Sequence, residues 1–336
     1  KTVADLARAF AGAKKPLALC GRGSGRQPGG LQEALAVHCL NALVGNINRP
    51  GGVVAVPEPD YIHWPEPEMD ATASKGMQQP RADGAGLDAF PLARYLLNRL
   101  PAALSTGPAP PIEALFVSGA NPVHNLAGAA AAAAAFRKIP LIVSLSPFMD
   151  ETAAMAHYVL PTHTSLERYE DVPCAAGFPR PILGLAKPAV KPLLDTKHVG
   201  DVVIELARAL RRPLASAFPW ATYEECLKQT LGRSWGTLLK EGTISDEAFM
   251  PAGFETASKK FEFQNEAIAR LPAFAVTAAP GDERSFPLVL IPYDTLRLSV
   301  GAVGSPPFLV KTLEETVLLK NDLLVEINPA TAAALG

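Results

Sequence analysis

No metal-binding signature is written in this chain. It holds four cysteines, Cys20, Cys39, Cys174 and Cys226, and no two of them form a CxxC pair. That spacing excludes a zinc knuckle or an iron–sulfur ligand set within the sequence, and the thiols read as buried or incidental. His38, His63 and His198 show no pairing at metal-ligand spacing either, and His124 and His163 read as loop residues with exposed polar contacts. The formal net charge is -2 and no Lys/Arg run occurs, so there is no basic field for nucleic acid or for an anionic membrane surface. The longest apolar stretch, Leu126 to Phe136, falls short of the roughly 20 residues a membrane helix needs, so no direct membrane span is expected. No signal peptide is legible, and Lys1 stands inside a helical pattern, so a preceding segment is expected.

What the chain does have is apolar mass. With 336 residues, 48% of them hydrophobic, it can bury more than one core, and its length suggests about two domains. The most informative stretch runs from Ile112 to Asp171. An apolar run (Ala114 to Val117) meets a Gly-Ala-Asn-Pro turn, then an alanine-rich helix, then a second apolar run (Leu141 to Leu145), which reads as a βαβ unit. In an open parallel sheet, ligands lie beyond the carboxyl ends of the strands, which puts Gly119, Asn121, Ser144 and Ser146 where a nucleotide would sit.

In chain order, a helix (Val3 to Phe10) and a short strand (Leu17 to Cys20) lead into the glycine-dense loop Gly21-Arg22-Gly23-Ser24-Gly25-Arg26-Gln27-Pro28-Gly29-Gly30, followed by a helix to about Leu43. Strand, glycine loop and helix let backbone N–H groups approach a phosphate, and a glycine-rich βα turn with nothing bound reads the same way. From 53 to 111 the chain is a proline-spaced, acidic insertion with helical spacing recovered over Leu87 to Leu100. It reads as a solvated loop or a contact segment for another subunit. A proline-broken passage follows Asp171, then helices over Val199 to Leu210, Tyr223 to Leu227 and Trp235 to Leu239. Thr256 to Phe263 alternates like an edge strand, and FPLVLIPYDTLRL from Phe286 has strand propensity. The domain reading is 1–52 as the end of a first α/β nucleotide-binding domain, 53–111 as insertion, 112–211 as a second Rossmann-like domain, 212–285 as a helical linker region and 286–336 as the start of a β-barrel.

Several of these motifs resemble, in the same order, one family. Gly21-x-Gly23 with Gln27, GNINRPGG at 45–52, SGANP at 118–122, ETAAMAHYVLP followed by LERYED, TASKKFEF and the closing EINPATAAALG resemble the molybdopterin oxidoreductases of the dimethyl sulfoxide reductase type. The resemblance implies an α/β fold of Rossmann-like parallel-sheet layers clamping bis-molybdopterin guanine dinucleotide, with a C-terminal β-barrel that only starts here. Carried over motif by motif, the cofactor-binding positions are Gly21, Arg22, Gly23, Gln27, Gly119, Asn121, Ser144, Ser146, Arg168 and Asp201. Amides read a purine edge, an acid binds a ribose or guanine donor, and Arg pairs phosphate. No catalytic residue and no metal ligand is assigned.

The departures from that family are informative. Ser146 stands where the family usually has an acid, Asp150 where it has Thr, and Ala156-His157 where it has Ala-Asp. A serine offers no charged two-oxygen acceptor for a diol, a loss of roughly 1.5–3 kcal/mol of binding. These departures resemble the molybdopterin-binding-like large subunits of menaquinone reductase complexes and alternative complex III. That branch implies a fold kept with its molybdenum cofactor lost, and any iron–sulfur cluster held outside this segment. It implies as partners an iron–sulfur subunit, a multihaem cytochrome c and an integral membrane quinone-binding subunit, in the periplasm. The alternatives are a catalytic reductase of a small oxo- or sulfur compound and an unrelated nucleotide-binding α/β protein. His157 reads as a core or edge histidine, Asp150 and Glu151 as helix caps, and Glu167 with Arg168 as a packing salt bridge.

Overall fold

A computed structural model describes residues 1–21, 30–58, 61, 68–87, 90–106, 112–174, 177–211, 213–264, 266–269, 281–282, 284–290, 318–319 and 322–335. The elements used below are, in chain order, α1 (Thr2–Gly12), α2 (Gly30–Leu43), β1 (Ala114–Ser118), α3 (Ala129–Phe136), β2 (Leu141–Leu145), β3 (Tyr158–Val159), β4 (Glu170–Pro173), β5 (Ile182–Ala186), α4 (Val199–Ala209), α5 (Tyr223–Leu231), α6 (Ser234–Glu241) and β6 (Thr243–Ser245). Contacts divide the chain into two compact units, one of Lys1–Leu100 with Thr162–Asp282 and one of Pro101–Pro161 with Glu283–Gly336.

The second unit contains the expected βαβ. β1 and β2 pair in parallel from Ala114↔Leu141 to Ser118↔Leu145, and β2 pairs in parallel with β3. β2 is the central strand and is buried from Ile142 to Leu145, as a strand with neighbours on both edges and cover on its faces must be. Ala132, Ala135 and Phe136 of α3 are all but inaccessible. Alanine suits this crossover because it favours the helix and lets the helix backbone come close to the sheet. His157 extends the β2–β3 pairing, with its N–H donating to Ile142 O at 2.8 Å and its Nδ1 accepting from Ile142 N at 2.9 Å. It is an edge histidine.

The first unit is built on an antiparallel sheet, β4-β5-β6. Leu183 and Leu185 of β5 point to one face, where they bury Leu227 and Leu231 of α5 and Leu238 of α6. Each such leucine contributes on the order of 1.5–3 kcal/mol through apolar area removed from water. A second small cluster joins Ile204, Trp220 and Cys226.

Some expectations fail locally. Leu17 to Cys20 is extended but is not a laddered strand: Ala18 N donates to Asn41 Oδ1 at 3.0 Å and Asn41 Nδ2 donates to Ala18 O at 2.9 Å, so a side chain takes the place of a strand. The helical spacing over Leu87 to Leu100 gives only a short 3-10 turn, Leu97–Arg99, that runs into a helix at Leu100–Ser105. Thr256 to Phe263 is a turn rather than an edge strand, because Thr256 Oγ1 donates to Lys260 O at 2.7 Å and Lys259 takes φ 53. Of the 286–336 stretch, 286–290 are described and exposed without strand pairing, Leu318–Leu319 pairs antiparallel with Asp322–Leu323, and 291–317 lie outside the described residues.

Candidate functional site

The parallel register brings the ends of β1 and β2 side by side, so Gly119, Asn121, Ser144 and Ser146 are gathered at one carboxyl edge as expected. Gly119 has φ 60 and open space where a Cβ would stand, so the chain turns there at no steric cost. Asn121 is buried, and both ends of its amide are engaged within the protein. Its Nδ2 donates to Glu151 Oε2 at 2.6 Å, and its Oδ1 accepts from Thr152 Oγ1 at 2.7 Å. Thr152 Oγ1 in turn accepts from Val123 N at 3.1 Å. The Asn121 amide holds the Glu151 carboxyl below the usual range. Glu151 therefore anchors Asn121 rather than capping a helix, whereas Asp150 does cap the following turn by accepting from Ala153 N at 2.8 Å.

Ser144 is 1% exposed inside β2. Ser146 closes a small turn, its hydroxyl donating to Phe148 O at 2.9 Å and accepting from Phe148 N at 3.2 Å. The Ser146 hydroxyl therefore serves the strand end itself.

The remaining candidates belong to the first unit. Gly21 is exposed at the border of the described chain, and Arg22, Gly23 and Gln27 lie outside the described residues. Arg168 does not pair with Glu167. It makes a bidentate pair with Glu170, Nη2 to Oε2 at 2.8 Å and Nε to Oε2 at 3.1 Å, and its Nη1 donates to His163 O. The reason is alternative partners: Glu167 is taken by the N–H groups of Thr164 and Leu193. Asp201, in the first turn of α4, accepts from Tyr223 N at 2.6 Å and so joins the starts of α4 and α5.

Sequence reasoning missed a constellation centred on Asp171. Tyr61 of the proline-rich insertion donates its hydroxyl to Asp171 Oδ2 at 2.5 Å, and the Tyr223 hydroxyl donates to Asp171 Oδ1. Burial first, and then the carboxylate, push both phenols well above their usual range. Tyr223 also stacks on His198, ring centroids 4.5 Å apart. His198 Nδ1 accepts from Gly200 N to cap α4, and burial holds its imidazole below the usual value. The three residues lie far apart in sequence, and only the aromatic followed by an acid at Tyr169 to Asp171 gave any local signal.

A guanine dinucleotide needs free donors and acceptors. Among the described candidates, the Asn121 amide and the Ser146 hydroxyl are engaged within the protein, Arg168 is paired with Glu170, and Asp201 spends Oδ1 on Tyr223 N. Turning the Asn121 amide or the Ser146 hydroxyl toward a dinucleotide would break those bonds, each worth roughly 0.5–3 kcal/mol. No helix among the described residues is long and apolar enough to cross a membrane.

Comparison with known proteins accords with the geometry. The molybdopterin oxidoreductase family profile matches residues 3–209. The molybdopterin-binding-like subunit of menaquinone reductase from Nitratidesulfovibrio vulgaris is 30% identical over 342 residues, covering 100% of this chain and 43% of that protein. The molybdopterin-containing subunit of thiosulfate reductase from Salmonella typhimurium is 28% identical over 196 residues, covering 55% of this chain and 25% of that protein. Acetylene hydratase from Pelobacter acetylenicus shares the fold with a TM-score of 0.61 at 20% identity, over 84% of this chain and 43% of that one. The chain thus spans less than half the length of these relatives. Its parallel βαβ layer, the order of its motifs and these matches together make it a member of the molybdopterin oxidoreductase family.

Proposed function

We propose that this chain is a subunit of a membrane-associated respiratory complex that passes electrons to or from the quinone pool, and that it acts as a structural module rather than as the seat of a molybdenum centre. The observation that carries the reading is the committed state of Asn121: its amide is locked between Glu151 and Thr152, at the strand end where the fold would present a nucleotide. Whole-length similarity to a subunit named molybdopterin-binding-like supports the same reading. On it, an iron–sulfur subunit, a multihaem cytochrome c and a quinone-binding membrane subunit carry the electrons, and the assembly faces the periplasm.

A second reading, a catalytic reductase holding bis-molybdopterin guanine dinucleotide, is favoured by the similarity to a thiosulfate reductase subunit and to a trimethylamine-N-oxide reductase. Elemental analysis of the full-length purified protein separates the two. The structural reading expects molybdenum far below one atom per chain together with co-purifying haem, and near-stoichiometric molybdenum overturns it.

A further inference from the structure

The first unit has a cavity of about 360 Å³ that nothing above uses. Its apolar lining includes Tyr61, Leu183, Ile244 and Phe249. Its mouth carries the Glu58 and Asp246 carboxylates and Met250, which is 83% exposed. Pro57 and Glu58 line it together with residues within 244–250, and the chain just beyond these two stretches is fastened: Ala252 N donates to Ala55 O at 2.7 Å and Asn48 Nδ2 to Ala252 O at 3.0 Å. Tyr61, which lines the hollow, is tied to Asp171.

Charge gives the sign of the occupant. Residues 53–70 contain Glu58, Asp60, Glu66, Glu68 and Asp70 and no Lys or Arg. Arg180, next to the lining residue Pro181, is committed to Glu247 at 2.8 Å. Glu58 and Asp246 are exposed, and solvated carboxylates bind a single cation weakly, since exposed ion pairs contribute little. Useful affinity therefore requires an apolar group seated on the apolar lining and several cations tethered to it, which a small amine does not provide and a peptide does.

We propose that this cavity docks a basic peptide segment of a partner protein, with an apolar side chain on Ile244 and Phe249 and lysines or arginines against Glu58 and Asp246. The inference rests on the reading of the chain as a subunit, but its test is independent of molybdenum content. The probe is a fluorescein-labelled peptide alternating lysine with leucine, titrated into the full-length protein and followed by anisotropy. The expected result is saturable binding that weakens at least tenfold in the Glu58→Lys/Asp246→Lys double variant and with a lysine–glycine peptide, and that is absent for a glutamate–leucine peptide. Both substituted residues are exposed, and an unchanged thermal melt verifies that the variant folds. Unchanged binding by the double variant, equal binding of the lysine–glycine peptide, or displacement by butylamine at a concentration equal to the peptide's overturns the proposal.

Discussion

At the scale of single residues, commitments decide what the carboxyl edge of the parallel sheet can do. Thr152 is 1% exposed and its hydroxyl serves two partners, Asn121 Oδ1 and Val123 N. Thr152→Val keeps the shape and removes both bonds, so stability is expected to fall by about 1–3 kcal/mol in urea denaturation. Cys226 is 1% exposed, and burial followed by the Asp171 charge pushes its thiol up to about 11. Thiolate is the reactive form, so at pH 8 alkylation is expected to spare Cys226 in the folded protein and to reach it only in denaturant, with half-buried Cys20, Cys39 and Cys174 modified first. Peptide mapping by mass spectrometry reads the order. His198 has its folded value depressed by burial below the 6.5 of a free imidazole. A depressed value means the fold favours the neutral ring, so the contribution is present above about pH 6.5 and is lost as pH falls through the folded value. Melting temperature is expected to drop on acidification below about pH 6.5, and His198→Asn, which keeps a capping acceptor, is expected to flatten that part of the profile.

Elements are positioned by a few such joints. Gly200 sits in the first turn of α4, where a Cβ would stand 2.5 to 2.7 Å from atoms of Tyr223. Gly200→Ala is therefore expected to push the ring off His198 and away from Asp171, costing about 1–3 kcal/mol by overpacking, with the loss seen as a lowered urea midpoint. The elements easiest to foresee were those whose signal is local and periodic: β2 matches Leu141 to Leu145, and α4 follows its apolar spacing to Ala209. β4 and β5 were not foreseen, because Pro173 and Pro181 break up the passage. Those prolines sit at a strand end and just before a strand, where a missing N–H does little harm. At the site, the strand-end placement of Gly119, Asn121, Ser144 and Ser146 followed from topology. The commitment of Asn121 to Glu151 and Thr152 and of Ser146 to Phe148 did not, since bond partners depend on distances that spacing alone does not fix. The Asp171 pair of tyrosines needs contacts across 110 and 52 positions.

Over the whole molecule, apolar surface remains uncovered in the first unit. None of the eleven residues of α1 is buried, Val3 and Leu6 are 81% and 69% exposed, and Leu19 and Leu43 are 75% and 70% exposed. Exposed apolar patches of this kind mark interaction surfaces or association hazards. The 336-residue chain studied alone is expected to bind a hydrophobic dye and to self-associate in sedimentation velocity, and Leu6→Glu with Leu43→Glu is expected to reduce both. Neither leucine is buried, so the melt is expected to change by less than about 0.5 kcal/mol per site.

The amide of Asn41 bears on how such a layer can grow. In an extended segment the N–H and C=O of one residue point to the same side, and those of its neighbours to the other. With Ala18 spent on Asn41 in both directions, that margin is closed to any further chain. One asparagine side chain thus blocks strand pairing along the side of the segment that it occupies.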